Sequence, residues 1–159
     1  MATRSTIALL RDNGEVVKVY CHWDGYLENN GELLVNYYDT AEKIEALLAQ
    51  GDISSLNKYV GEAHPFGPDY NNRGSDADKA YDAAQKAEWT TFYGRDRGEQ
   101  GTAAKVYKDL GVYEREAQFE EFNYCFIYGD WYYVSYDGIV RNVADELVKI
   151  HEKEELEAA

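Results

Sequence analysis

Ser5-Thr6-Ile7-Ala8-Leu9-Leu10-Arg11-Asp12-Asn13-Gly14-Glu15-Val16-Val17-Lys18-Val19-Tyr20-Cys21-His22 decides the fold of this chain, because two β-type runs meet there at an Asn-Gly pair. Both turn residues tolerate positive φ, which makes Asn-Gly a strong hairpin signal. With Asn13-Gly14 as a two-residue loop, Leu10 faces Val17, Ala8 faces Val19 and Thr6 faces Cys21 on one side. Leu9 with Lys18, Ile7 with Tyr20, and Ser5 with His22 share the other. Cys21 and His22 then point to opposite faces and cannot act on each other as nucleophile and base.

A second hairpin is expected near the C-terminus. Phe119 to Tyr136 holds nine aromatic residues, and Gly129-Asp130 and Asp137-Gly138 divide it into an antiparallel meander. Pairing across Gly129-Asp130 aligns Tyr128 with Trp131, Phe126 with Tyr133 and Tyr124 with Ser135 on one face. Ile127 with Tyr132 and Cys125 with Val134 occupy the other. Both faces are apolar, so the meander is either covered on both sides or shows an aromatic surface to a partner.

Between the hairpins the pattern is mainly helical. Leu27 to Tyr38 has helical spacing weakened by Gly31, by about 1 kcal/mol relative to Ala. Asp39 or Thr40 caps a helix through Gln50 with Ala41, Ile44, Leu47 and Leu48 as its stripe and Gly51 as its stop. Residues 61 to 75 carry both prolines and read as a surface loop. Ser75 with Asp78 opens a helix from Asp76 to Glu88, whose Ala77, Ala80, Tyr81, Ala84 and Ala87 suit close packing. Trp89 to Tyr93 reads as a strand, Thr102 to Leu110 as a short helix ending at Gly111, and Asn142 to Glu155 as a last helix burying Val143, Leu147 and Ile150. The expected fold is α+β. An antiparallel sheet made of the N-terminal hairpin and the C-terminal aromatic meander packs against several helices, in one domain spanning 1–159.

Thirty Asp and Glu against sixteen Lys and Arg leave a net charge of −14. This argues against direct binding to nucleic acid or anionic membranes and for a basic partner, unless the acids serve only solubility. Residues 109 to 159 carry 13 acids and 4 bases, against 17 and 12 in residues 1 to 108, so the acidic field is steeper at the C-terminal end. Two cysteines, an opening without an apolar signal core and no run near 18 apolar residues predict a reducing, cytosolic setting.

Catalytic signatures are absent. Cys21 and Cys125 read as small buried hydrophobes, and Cys21, His22, His64 and Cys125 lack zinc-ligand spacing, so no catalytic residue, metal or cofactor is assigned. His151 reads as a solvated residue of the last helix. Gly94-Arg95-Asp96-Arg97-Gly98-Glu99 places two guanidinium groups between glycines, where Arg95 and Arg97 either receive a phosphate or carboxylate or pair with the chain's own acids. In Cys21-His22-Trp23-Asp24-Gly25-Tyr26, Trp23 extends the core face of Cys21, Asp24 caps the following helix, and His22 has no evident structural task. Arg95, Arg97, His22, Trp23, Asp24 and Tyr26 are therefore the candidate ligand-binding residues.

The opening Met1-Ala2-Thr3-Arg4-Ser5-Thr6-Ile7-Ala8, the block Tyr20-Cys21-His22-Trp23-Asp24-Gly25-Tyr26, Gly51-Asp52-Ile53-Ser54-Ser55-Leu56 and Tyr93-Gly94-Arg95-Asp96-Arg97-Gly98-Glu99 together resemble a family of small accessory proteins of tailed phages and prophages. The resemblance covers most of the chain, excepting residues 61 to 75 and the acidic tail, and transfers no catalytic residue. It implies a protein made in the host bacterial cytoplasm. Joined to the charge, it predicts a non-enzymatic protein that binds and inhibits or redirects a host protein. The sharpest version is a restriction or CRISPR effector whose basic, nucleic-acid-binding groove is occupied by carboxylates. Glu146, Glu152, Glu154 and Glu155 would form the electrostatic surface, and Tyr128, Trp131 and Tyr133 of the meander the hydrophobic anchor. The alternative is a nucleotide-binding, sequestering or hydrolysing protein. Self-association through the meander, as a homodimer or a virion component, is a third expectation.

Overall fold

The computed structural model describes residues 2 to 158. The N-terminal hairpin forms from β1 (Ser5–Leu10) and β2 (Val16–Cys21), with a register one residue away from the expected one. Leu10 pairs with Val16, Ile7 with Val19 and Ser5 with Cys21. The loop is Asp12-Asn13-Gly14: the Arg11 N–H donates to Glu15 O at 2.8 Å and the Gly14 N–H to Arg11 O at 2.9 Å. Gly14 takes φ 91°, which favours glycine, and Asn13 Oδ1 accepts from the Glu15 N–H at 3.0 Å. A one-residue slip exchanges the partner sets of the two strands. It gathers Ile7, Leu9, Val17, Val19 and Cys21 on one buried face, and leaves Ala8, Leu10, Val16, Lys18 and Tyr20 on the other.

A π-turn over Leu27–Gly31 leads into α1 (Glu32–Tyr37), and α2 (Ala41–Leu48) follows with the Thr40 side chain accepting from the Lys43 N–H. Ile44, Leu47 and Leu48 of α2 are buried, whereas Ala41 is exposed. β3 (Ile53–Ser55) precedes the irregular segment that holds both prolines, and α3 (Asp76–Lys86) starts at a Ser75 cap. Only Asp78 and Ala84 of α3 are buried, so the alanine stripe expected to pack closely is mostly in solvent. Asp78 does not return a hydrogen bond to Ser75. Its carboxylate accepts instead from the Asp69 and Gly74 N–H groups and ties the preceding loop to the helix.

β4 (Thr91–Phe92) is shorter than expected, because Tyr93 opens a single helical turn, α4 (Tyr93–Arg97). The helix expected over Thr102 to Leu110 does not form. Lys105–Tyr107 is strand β5, paired antiparallel with Val16–Lys18, and α5 (Leu110–Glu116) begins after an Asp109 cap, with Gly111 in its first turn. The open edge of β2 overrides the weak helical pattern there.

The meander consists of β6 (Phe122–Ile127), β7 (Asp130–Val134) and β8 (Arg141–Asn142), followed by α6 (Val143–Ala158). The β6–β7 turn is Tyr128-Gly129, both at positive φ, so Phe126 pairs with Trp131 and Tyr124 with Tyr133. This register lies two residues from the expected one, and an even shift keeps every side chain on its predicted face.

All strands join one mixed, mostly antiparallel sheet in the order β4-β3-β2-β1-β6-β7-β8, with β5 also on β2. The central β1–β6 pair is parallel, as is the single contact of β2 with β3. On the inner face, α1, α2, α6 and the π-turn cover Ile7, Leu9, Val17, Val19, Tyr124, Phe126, Trp131 and Tyr133. Each such side chain contributes about 1.5–3 kcal/mol when fully buried. Polar ends are matched: Tyr124 Oη donates to Gly25 O at 2.7 Å, and Trp131 Nε1 to Tyr38 O at 2.9 Å. Among the described residues, α5 is the one helix on the outer face, where Tyr113 packs on Ala8, Val16 and Cys125. Among the described residues, no helix is long and apolar enough to cross a membrane.

Candidate functional site

The outer face of the sheet is where chemistry gathers, because a single short helix leaves both of its flanks open. Toward β8, Ile127, Tyr132 and Val134 alternate outward from the meander, while Leu110 and Tyr113 approach from α5. They line an apolar groove of about 440 Å³. Phe119, Tyr136 and Val140 are exposed on its walls, and Glu114 and Glu120 are its carboxylates. This volume lies in the range of sites that bind small molecules or anchoring side chains.

Toward β5, a second cavity of about 210 Å³ is polar and lined by Thr6, Lys18, Tyr20, Asp52, Lys105, Gln118 and Glu120. Its geometry comes from strand pairing. Lys18 on β2 lies directly opposite Lys105 on β5, and Tyr20 lies two residues along the same face as Lys18. Lys18 is buried and donates from Nζ to Gln118 O at 2.9 Å. Burial first, and then the neighbouring Lys105 charge, lower its pKa against the opposing pull of Asp52 and Glu120. Asp52 moves the other way: burial raises its carboxyl above the usual range, although the Tyr20 N–H, at 2.9 Å, and both lysines favour the anion. The Thr6–Asn123 hydrogen bond of 3.0 Å and Glu120 stand between cavity and groove.

The ligand-binding candidates read from sequence fall into two groups. Arg95 is committed to the fold: its five N–H groups go to both Asp96 oxygens and to the carbonyls of Val60, Gly61 and Thr90, and its guanidinium lies 4.6 Å from the Phe92 ring centre. Arg97 is half exposed, paired with Glu99 and stacked on Phe66 and Tyr93. At the end of β2, His22 Nδ1 is 2.7 Å from Tyr20 Oη and the His22 ring meets Trp23 edge-on. Trp23 is 44% exposed and does not extend the core face of Cys21, because the chain turns away at Asp24, φ 54°. Asp24 caps nothing; its carbonyl accepts from Asn29, and Tyr26 is the exposed residue preceding the π-turn. His22 and Tyr20 connect this strand end to the polar cavity, whereas neither arginine lines it.

The partner-binding candidates also divide. Trp131 and Tyr133 are 4% and 7% exposed and belong to the inner core, so neither can anchor a partner. Tyr128, in the turn, is 92% exposed. The open aromatic surface is the opposite one, formed by Tyr132 and Tyr136. Glu152, Glu154 and Glu155 are exposed on the last two turns of α6, and Glu146 pairs with Lys149. Because Val143 and Leu147 bury α6 against the inner face, its acids and the apolar groove lie on opposite sides of the sheet.

Cys21 and Cys125 are buried free thiols, with Cys21 pushed up to about 11 and Cys125 to about 12, each mainly by burial. Among the described residues, no three His, Cys, Asp or Glu side chains are grouped to hold a metal ion. His64 is buried between the carbonyls of Pro65 and Thr90. Sequence reasoning missed Lys18, Lys105 and Asp52 because β5 read as helix, which hid the cross-strand lysine pair. Comparison of the chain with protein-family models, with curated proteins and with solved structures finds no match.

Proposed function

We propose that this chain is a non-enzymatic, phage-encoded accessory protein that binds a basic host protein through the outer face of its sheet. The observation that carries the reading is the open apolar groove between α5 and the meander, with Glu114 and Glu120 among its lining, in a chain of net charge −14. Such a groove fits an apolar side chain flanked by lysine or arginine. The acids of α6 lie across the sheet from the groove, so their part is long-range steering rather than direct contact. A nucleic-acid-handling protein is the partner class most consistent with this charge, since its basic groove is built for polyanions.

The test is capture of host proteins on the immobilised chain at low and high salt, with duplex DNA as competitor and with Tyr136→Ala/Val140→Ala as the groove variant. Both residues are exposed, so the variant keeps its fold. The reading expects a basic partner released by salt and by DNA, and lost with the groove variant. Capture indifferent to salt would refute the electrostatic part, and capture indifferent to the variant would refute the docking face.

A further inference from the structure

The polar cavity around Lys18 shares only Glu120 with the lining of the docking groove, and its composition suits covalent chemistry. We propose that Lys18 is a nucleophilic amine that forms a Schiff base with a small 2-oxo acid, whose carboxylate is held by Lys105 at the cavity mouth. Lys18 Nζ has one acceptor, Gln118 O, for its three ammonium protons. As a neutral amine it keeps that bond and has its lone pair free for the cavity it lines. A directly opposed lysine across two strands is the arrangement that disfavours a second positive charge. The charged and titratable groups facing Lys18 are Tyr20 from its own strand, Lys105 from β5, Asp52 from the segment before β3, and Glu120 from the segment before β6. The lowered pKa of Lys18 and the raised pKa of Asp52 agree with this division of roles.

The step balances. Lys18 nitrogen attacks the carbonyl carbon of the oxo acid, the C–N bond forms, and the carbonyl electron pair moves to oxygen. The ammonium proton of the adduct passes to the Asp52 carboxylate and from there to that oxygen, which gives the neutral carbinolamine. One further proton, taken from solvent and delivered by Glu120 to the hydroxyl, expels water and leaves the cationic iminium. A volume of about 210 Å³ admits a molecule of a few carbon atoms and excludes a nucleotide.

The experiment is incubation of the intact protein with pyruvate and sodium cyanoborohydride, followed by peptide mass mapping. Propionaldehyde, which has no carboxylate, is the parallel probe. The imine at Lys18 is expected to be trapped as the stable secondary amine severalfold faster than at any exposed lysine, because burial and the Lys105 charge favour the neutral amine. Lys18→Met should remove that adduct. Because Lys18→Met also deletes the tie to Gln118, Lys105→Met is the second variant, and Lys105 is exposed. It should shift the pH profile of Lys18 modification upward and abolish the preference for pyruvate. Adducts spread evenly over the lysines, or a pH profile unchanged in Lys105→Met, would overturn the proposal. A ratio of pyruvate to propionaldehyde labelling at Lys18 no higher than the ratio at the exposed lysines would overturn the ligand class.

Discussion

Replacing Arg95 by Met removes five hydrogen bonds while keeping an apolar chain over Phe92, so it measures what the guanidinium does for the fold. The side chain is 12% exposed, and its partner Asp96 is fully buried. Without Arg95, the Asp96 carboxylate keeps the N–H groups of Phe92, at 2.8 Å, and His64, at 3.1 Å. The carbonyls of Val60, Gly61 and Thr90 lose their common donor. Breaking a buried ion pair on one side costs about 3–5 kcal/mol, and the residual exposure argues for the lower end. About 3 kcal/mol is a large share of the roughly 5–15 kcal/mol that holds a domain together. It corresponds to a melting temperature lower by roughly 6–12 °C for a chain of this length. Urea unfolding of Arg95→Met beside Arg97→Met is the assay, because the half-exposed Arg97–Glu99 pair contributes at most about 1 kcal/mol. Equal stability losses in the two variants would refute the assignment of Arg95 to structure and return it to ligand binding.

The buried thiols should resist iodoacetamide in the native protein at mildly alkaline pH and react fully in denaturant; rapid native labelling of Cys21 or Cys125 would contradict their burial. Gly61→Ala would bring a Cβ to 2.1 Å from Trp89 Cγ at φ 66°, so a loss of about 1–3 kcal/mol or more is expected by urea unfolding, and a neutral result would mean that Trp89 moves freely. Asp78 is held below its ordinary value of 3.8 first by the Gly74 N–H, against burial, with the Asp69 N–H and Arg73 adding to it. A carboxylate lowered in the folded state stabilises above its unfolded pKa and loses that contribution as pH falls through the folded one. Pepsin cleavage between residues 69 and 78 should therefore increase as pH falls below that value in the native chain. Asp78→Asn should be cut at all these pH values, and identical pH profiles for the two proteins would count against the tie.

The parts of this fold that were legible in the sequence are those written by local chemistry. Asn13-Gly14, the Thr40 and Ser75 caps, and the inward and outward alternation of the meander each rest on neighbours within a few residues. Register was less secure, because Asp12-Asn13-Gly14 also satisfies a three-residue turn, and burial of Ile7 and Leu9 with Val17 and Val19 selects it. Trp131 and Tyr133 were placed on the correct face, but which face the helices cover depends on long-range packing. Lys105-Val106-Tyr107 becomes a strand only because β2 presents an unpaired edge, and with it the lysine pair of the polar cavity escapes local reading. Arg95 carries a fork of donors that suits a ligand and a set of carbonyls equally, and only the approach of Val60 and Gly61 decides between them.

The parallel pairing of β1 with β6 also governs how this chain reaches its native state. The strand of this sheet that is made first, β1, is a central one, and it must wait for a neighbour 117 residues away, as the Thr6–Asn123 bond marks. Until then the N-terminal hairpin carries an open, apolar edge, and closing so long a loop makes folding slow relative to a helical domain of equal size. Synthesis that pauses or stops before Ile127 leaves that edge unpaired and ready to recruit another chain. The C-terminal third, which provides the groove, is thus also what makes the first hairpin safe in a crowded cell.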